Sequence, residues 1–393
     1  MRILFVAMAD SVHTARWISQ IDDQGWDIHL YPSIDCGMTH PDLKNITVHH
    51  SFYGGRKNCS RTVKLRGFPV VSELAAAIGR GSLRRMMSSY RVWQLRRLIE
   101  GLRPNIIHSM EIQAAGYLTL QVRKQHVGPF PPWIVTNWGS DIYLFGRLTE
   151  HVDKIKEVIG ACDYYSCECR RDVRLANQMG LRGEVLPVLP NAGGHDLARV
   201  AQFRQPGPTS GRRLILLKGY QGWAGRALVG LRAIALCSNE LKDYRIAIFL
   251  PSFEVKIAAE LVSQSTGIPI DLIPFCSHDD MLRLYGRARV YIGLSISDAA
   301  STALLEAMVM GTFPIQSCTA CADEWIVDGK SGFIVPPEDP ETIAIAIRRA
   351  VSDDKLVDGA AEINGRVARE RLDQSVIRPQ VVAMYKKVAG QTG

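Results

Sequence analysis

Short runs of apolar residues recur along the chain, separated by polar stretches of helical length, the pattern of strands alternating with helices. Residues 1–7, 26–31, 46–50, 104–109, 133–136 and 163–167 read as strands of a first half. Residues 213–218, 245–250, 270–275, 290–295 and 312–317 repeat the pattern in a second half. Most of these runs are apolar on both faces, which suits parallel sheets covered by helices on either side, an α/β architecture. Proline and glycine gather in residues 186–194 and 204–211 and mark a boundary between domains 1–190 and 191–370, with a last amphipathic stretch over 371–393. Residues 50–80 read as a long, basic surface loop feeding a helix. Over 83–102, Leu83, Met86, Met87, Tyr90, Trp93, Leu98, Ile99 and Leu102 recur at three and four residues and predict one amphipathic helix.

At 393 residues the chain is long enough for two domains that each bury a core. No apolar run approaches the ~18 residues that span a bilayer, and residues 1–7 are too short for a secretory signal. Nine cysteines without a framework spacing suit a reducing compartment, and a cytoplasmic protein is expected. Cys318 and Cys321 have metal-like spacing but no second pair, so they read as thiols and not as ligands. There is no Asp-x-Asp and no G-x-G-x-x-G, so neither a catalytic metal nor a dinucleotide cofactor is expected.

The formal charge of +8 is unevenly placed: Arg56 to Arg103 holds twelve Arg and Lys against Glu73 and Glu100, leaving the remainder near −2. Two readings stay open, a solvated basic face on a packed helix, or attraction to anionic headgroups or a lipid-diphosphate acceptor at the inner face of a membrane. Nucleic acid is not expected, because no recognition motif accompanies the charge.

Candidate chemistry concentrates at residues 298–311. Val290 to Ser295 is a strand, the helix that follows ends at Gly311, and Asp298 lies in the loop between them. Glu306 sits one turn past Thr302, so both carboxylates can face the mouth between strand end and helix start, where an open α/β sheet binds ligands and free N–H groups favour phosphate. Upstream, Lys218 and Arg226 flank the glycine-rich loop Gly219-Tyr220-Gln221-Gly222-Trp223-Ala224-Gly225, where fixed cations can stabilise a departing diphosphate.

The run from Asp298 through Glu306-Ala307-Met308 and Gly311-Thr312-Phe313-Pro314-Ile315, then Asp328-Gly329-Lys330-Ser331-Gly332-Phe333-Ile334-Val335 and Pro337-Glu338-Asp339-Pro340, resembles the C-terminal half of retaining glycosyltransferases of family 4. The resemblance implies the GT-B fold, two doubly wound Rossmann-like domains facing a central cleft, with a terminal helix crossing back to the first domain. It implies transfer of a sugar from a nucleotide-sugar donor to a glycan or lipid-linked acceptor, without metal or other cofactor. In the Glu-x7-Glu motif of that family the first carboxylate faces the donor sugar and the second holds the ribose; those roles fall on Asp298 and Glu306. Here Asp replaces the first Glu, and Ala299, Ser301 and Ala303 stand where glycines and a proline are usual. The resemblance further implies the diphosphate at Lys218 and Arg226, the terminal phosphate near the amides of Ser301 and Thr302, and the donor base near Phe275 and Cys276. On the acceptor side it draws attention to His13, which is otherwise an exposed helix-start histidine, and to Trp138 and Asp141, where Trp138 occupies the place of a family histidine and Asp141 is a site residue or a helix cap; His108 is a further candidate from its place at a strand end. His278 reads as a surface residue beside the capping pair Ser277 and Asp280. Two rivals remain, a sugar-nucleotide epimerase of similar shape, and a protein that only binds sugar nucleotides or anionic lipids.

Overall fold

The computed structural model describes residues 1–54, 59–86 and 89–390. Arg56, Lys57 and Met87 of the sequence reading lie outside them. The chain divides into two units, Met1–Gly194 with Ile377–Gly393, and His195–Val376.

Unit 1 runs β1 Arg2–Ala7, α1 Val12–Ile18, β2 Asp27–Pro32, β3 Thr47–Gly54, β4 Lys64–Val70, α2 Glu73–Met86, α3 Tyr90–Leu102, β5 Ile106–Met110, α4 Tyr117–Gln125, β6 Trp133–Thr136, α5 Thr149–Ala161, β7 Tyr164–Ser166, α6 Arg170–Gln178 and β8 Glu184–Val185. Its strands form one parallel sheet in the order β4-β3-β2-β1-β5-β6-β7-β8. The strand order reverses at β1, so the mouth between the ends of β1 and β5 is the switch point of this sheet. β1 and β5 are buried on both faces, β1 as its apolar run requires and β5 with His108 and Ser109 carried into the interior.

The expected loop over 50–80 is instead the end of β3, the edge strand β4 and the start of α2. β4 was illegible because an edge strand with nearly every side chain exposed shows no alternation. The single helix expected over 83–102 is two, α2 ending at Met86 and α3 beginning at Tyr90. α3 buries Val92, Leu95 and Ile99, a face of its own, and leaves Trp93 43% exposed.

Unit 2 runs α7 Leu197–Ala201, β9 Leu214–Lys218, α8 Ala227–Leu236, β10 Arg245–Phe249, α9 Phe253–Thr266, β11 Ile270–Ile273, α10 His278–Arg287, β12 Ala288–Gly293, α11 Thr302–Val309, β13 Phe313–Ser317, β14 Phe333–Val335, α12 Pro340–Ser352 and α13 Asp354–Arg371. The sheet order is β11-β10-β9-β12-β13-β14, all parallel, with its switch point between β9 and β12. Gly311, at φ +68°, ends α11 in the left-handed conformation that glycine adopts at low cost.

The last helix, α14 Gln374–Val388, returns the chain to unit 1. There Tyr385 is fully buried; Trp17 Nε1 donates to its hydroxyl at 2.8 Å, and His108 Nδ1 lies 2.6 Å from the same oxygen. Burial holds the imidazole of His108 down at about 3, and those of His49 and His50 down at about 4. Each is therefore neutral when folded, while the unfolded chain takes up a proton below about pH 6.5. The stability these histidines contribute is complete above that pH and lost as pH falls toward the folded values. In urea unfolding, the wild-type protein is expected to lose more stability between pH 7 and pH 5 than His108→Asn, by up to a factor of about 10 in the folding equilibrium per pH unit below 6.5.

Candidate active site

The site in unit 2 starts from four loops that leave neighbouring strand ends. Gly219 begins the loop after β9, and a Cβ there would lie 2.8 Å from Pro251 Cα, so only glycine lets this loop pack against the loop after β10. The same loop then zips onto the one after β12: Ile296 N donates to Ala224 O at 2.8 Å and Arg226 N to Leu294 O at 3.0 Å. Thr319 donates through its hydroxyl to Ser295 O, tying in the loop after β13. Backbone pairing therefore fixes Asp298 relative to Lys218 and Arg226.

Lys218 closes β9, and its Nζ lies 3.9 Å from Asp298 Oδ2; both side chains are about a quarter exposed. Asp298 Oδ1 accepts from the next amide, Ala299 N, at 2.9 Å. The short side chain thus serves the turn and the lysine at once, a geometry that suits Asp over the longer Glu. Arg226 is braced: Nε donates to Glu338 Oε1 at 2.9 Å and Nη1 to Gly225 O at 2.8 Å. Glu338 is 65% exposed, so this pair adds at most about 1 kcal/mol and mainly orients the guanidinium.

α11 begins at Thr302 after Ser301, whose side chain makes no cap hydrogen bond to the helix. The amides of its first turn have no partners within the helix, which makes this end attractive to an anion. Behind it, the buried phenol of Tyr291 is raised above its ordinary pKa, first by burial and then by the charges of Asp298 and Glu306, against the lowering effect of Ser301. Both carboxylates therefore act on one buried group.

Glu306 is buried, and His278 Nε2 lies 2.8 Å from its Oε1. His278 opens α10 behind the N-cap Ser277, whose hydroxyl accepts from Asp280 N. The capping reading of Ser277 and Asp280 stands, but His278 is a partner of the motif carboxylate and not a plain surface residue. Nothing local in the sequence marks it; the packing of α10 on α11 brings it there. Phe275 is 97% exposed and Cys276 half-buried, in the loop before α10.

In unit 1 the acceptor-side candidates separate. His13 and Trp138 come together, rings edge to face with centroids 5.5 Å apart, near the ends of β1 and β6. His108 does not join them. It is fully buried, with Nε2 2.7 Å from Thr136 Oγ1 and Nδ1 on Tyr385, so it is a core link between strands and the terminal helix. Asp141 is also spent internally: Oδ2 accepts from Ile112 N at 2.9 Å and Trp138 N at 2.8 Å, clamping two loops. Burial and the neighbouring charge of Glu111 push its carboxyl well above the usual range. Glu111, unmarked by the sequence, sits at φ +79° and accepts from Ala114 N and Ala115 N at the π-helical turn Ile112–Gly116.

Two family descriptions match this chain: "Glycosyl transferase 4-like" over residues 2–160 and "Glycosyl transferases group 1" over residues 259–364. One falls in each unit, and the two parallel α/β sheets have the GT-B fold, so the chain is similar to glycosyltransferases of that fold. A phosphatidyl-myo-inositol mannosyltransferase of Mycolicibacterium smegmatis is 34% identical over 88 residues, which is 22% of this chain and 22% of that relative. Among solved structures, sucrose-phosphate synthase from Thermosynechococcus elongatus aligns over 100% of both chains, with a TM-score of 0.70 and 14% identity. HepE of Anabaena, solved in complex with UDP and glucose, aligns over 98% of this chain and 100% of its own, with a TM-score of 0.67 and 13% identity. These structural likenesses establish the fold.

Proposed function

We propose that the protein is a retaining glycosyltransferase that moves a hexosyl group from a nucleotide-diphosphate sugar to an acceptor hydroxyl on a glycan or lipid-linked glycan. The observation that carries this reading is the Lys218–Asp298 pair at the switch point of unit 2, in the loop that leads into α11 and its buried Glu306.

Asp298 contacts the donor sugar, and Glu306, held by His278, takes the ribose hydroxyls. Lys218 and Arg226 meet the diphosphate, with the amides near Ser301 and Thr302 on its terminal phosphate and the base lying against Phe275 and Cys276. As the glycosidic bond breaks, negative charge grows on the leaving diphosphate, and two fixed cations and a helix N-terminus stabilise it in place of a metal. The acceptor hydroxyl attacks from the face the diphosphate leaves and gives its proton to the departing phosphate oxygen. His13 and Trp138 are the acceptor-side groups on this reading. No cofactor and no nucleic acid takes part. The protein works in the cytoplasm, and the basic stretch 56–103 makes peripheral contact with anionic membrane.

Proton NMR of the product formed with excess chelator tests the chemistry. The expected product keeps the anomeric configuration of the donor, and the rate is unchanged by the chelator. An inverted product, or loss of activity restored by a divalent cation, overturns the mechanism. Conversion of the donor sugar with no acceptor present identifies an epimerase instead.

A further inference from the structure

The helix α2 is built inside out. Against the sheet it turns its small residues: Ala76 is fully buried, and Gly79 passes so close to Phe52 that a Cβ would lie 3.2 Å from the ring. To solvent it turns Leu74 and Ile78, 72% and 62% exposed, one turn apart on one face. Val71, just before the helix, is fully exposed, and Phe68 of the edge strand β4 is 70% exposed although its ring also meets Phe52. Four large apolar side chains within eleven residues thus stand in water, while α3 buries its own apolar face in the ordinary way. An apolar cluster of this kind marks a surface that meets another phase or molecule.

The surrounding charge says which. Arg61, Lys64, Arg66 and Arg85 are exposed around the cluster, Arg80 is half-buried, and Glu73 is the acidic residue of β4 and α2. Arg85 continues the face of Leu74 and Ile78 toward the helix end. Apolar residues in the middle and arginines at the rim match the two layers of an anionic bilayer surface, acyl chains below and phosphates above. A second copy of this chain would set one basic rim against another.

We infer that Phe68, Val71, Leu74 and Ile78 insert into the interface of an anionic lipid bilayer, with Arg61, Lys64, Arg66 and Arg85 on its headgroups. The contact proposed for the basic stretch 56–103 is thereby assigned to β4 and α2. It gives the proposed peripheral contact its residues, and it is tested by binding alone, so that failure of the catalytic reading leaves it standing and the reverse.

The experiment is co-sedimentation of the full chain with vesicles of phosphatidylcholine alone or mixed with phosphatidylglycerol. Binding to the mixed vesicles only is expected. The double variant Leu74→Glu, Ile78→Glu, at two solvent-exposed positions, should weaken it by a factor on the order of 100. Thermal melting of the variant at the wild-type temperature confirms that it folds. No binding to the mixed vesicles, or equal binding by wild type and variant, overturns the insertion. So does sedimentation velocity showing a dimer that the variant abolishes, which would give the face to a second copy.

Discussion

Replacing Lys218 with alanine is expected to lower turnover by a factor on the order of 10²–10³ while changing donor KM much less. The reason is the timing of the charge. A diphosphate bound as part of the donor is already hydrated and partly neutralised, whereas the charge that grows as the sugar leaves needs a cation already in position. On the proposed reading Lys218 supplies that cation, held where β9 ends while the loops after β9 and β12 are pinned together by Arg226 N to Leu294 O and Ile296 N to Ala224 O. Its ion pair with Asp298, 3.9 Å long and partly exposed, contributes about 1 kcal/mol or less to stability, so the variant should melt near the wild-type temperature. Steady-state kinetics beside a melting curve therefore separates the role from a folding defect. A fall in kcat of less than threefold removes Lys218 from the mechanism.

The second large effect belongs to Glu306. Glu306→Ala is expected to weaken donor binding roughly 10- to 100-fold, the loss of charge-assisted hydrogen bonds to the ribose. His278→Ala should raise donor KM by about fivefold with kcat nearly unchanged, because its role is to hold the carboxylate through the 2.8 Å contact and not to touch the reacting centre. His278→Gln, which keeps a donor near the same place, should recover part of that loss. If His278→Ala instead lowers kcat and KM together, or Gln gives no rescue, His278 is not a positioning group for Glu306.

The elements around these residues were legible because each is set by residues near one another in the chain. The helix after Asp298, its stop at Gly311 and the loop between Lys218 and Arg226 follow from local turn and helix chemistry, and the structure places them as read. What was not legible is carried by contacts distant in sequence. Glu338 reaches Arg226 across 112 positions, and His278 reaches Glu306 across 28. His108 looked like a strand-end site residue, yet the terminal helix covers it with Tyr385, 277 positions later. α2 was missed for a different reason: Ala76 and Gly79 take its inner side while Leu74 and Ile78 face solvent, so residues 73–80 carry no periodic large apolar face of the packed kind.

On the proposed function, unit 2 grips an activated sugar through Glu306, Asp298 and Lys218. Isothermal titration of nucleoside diphosphates and their hexose conjugates into wild-type protein and Glu306→Ala, with chelator present, tests it most directly. Saturable one-site binding of at least one such conjugate to the wild type is expected, with binding roughly 10- to 100-fold weaker in the variant. Equal affinity in the two proteins, or no binding of any nucleotide conjugate to the wild type, would contradict it.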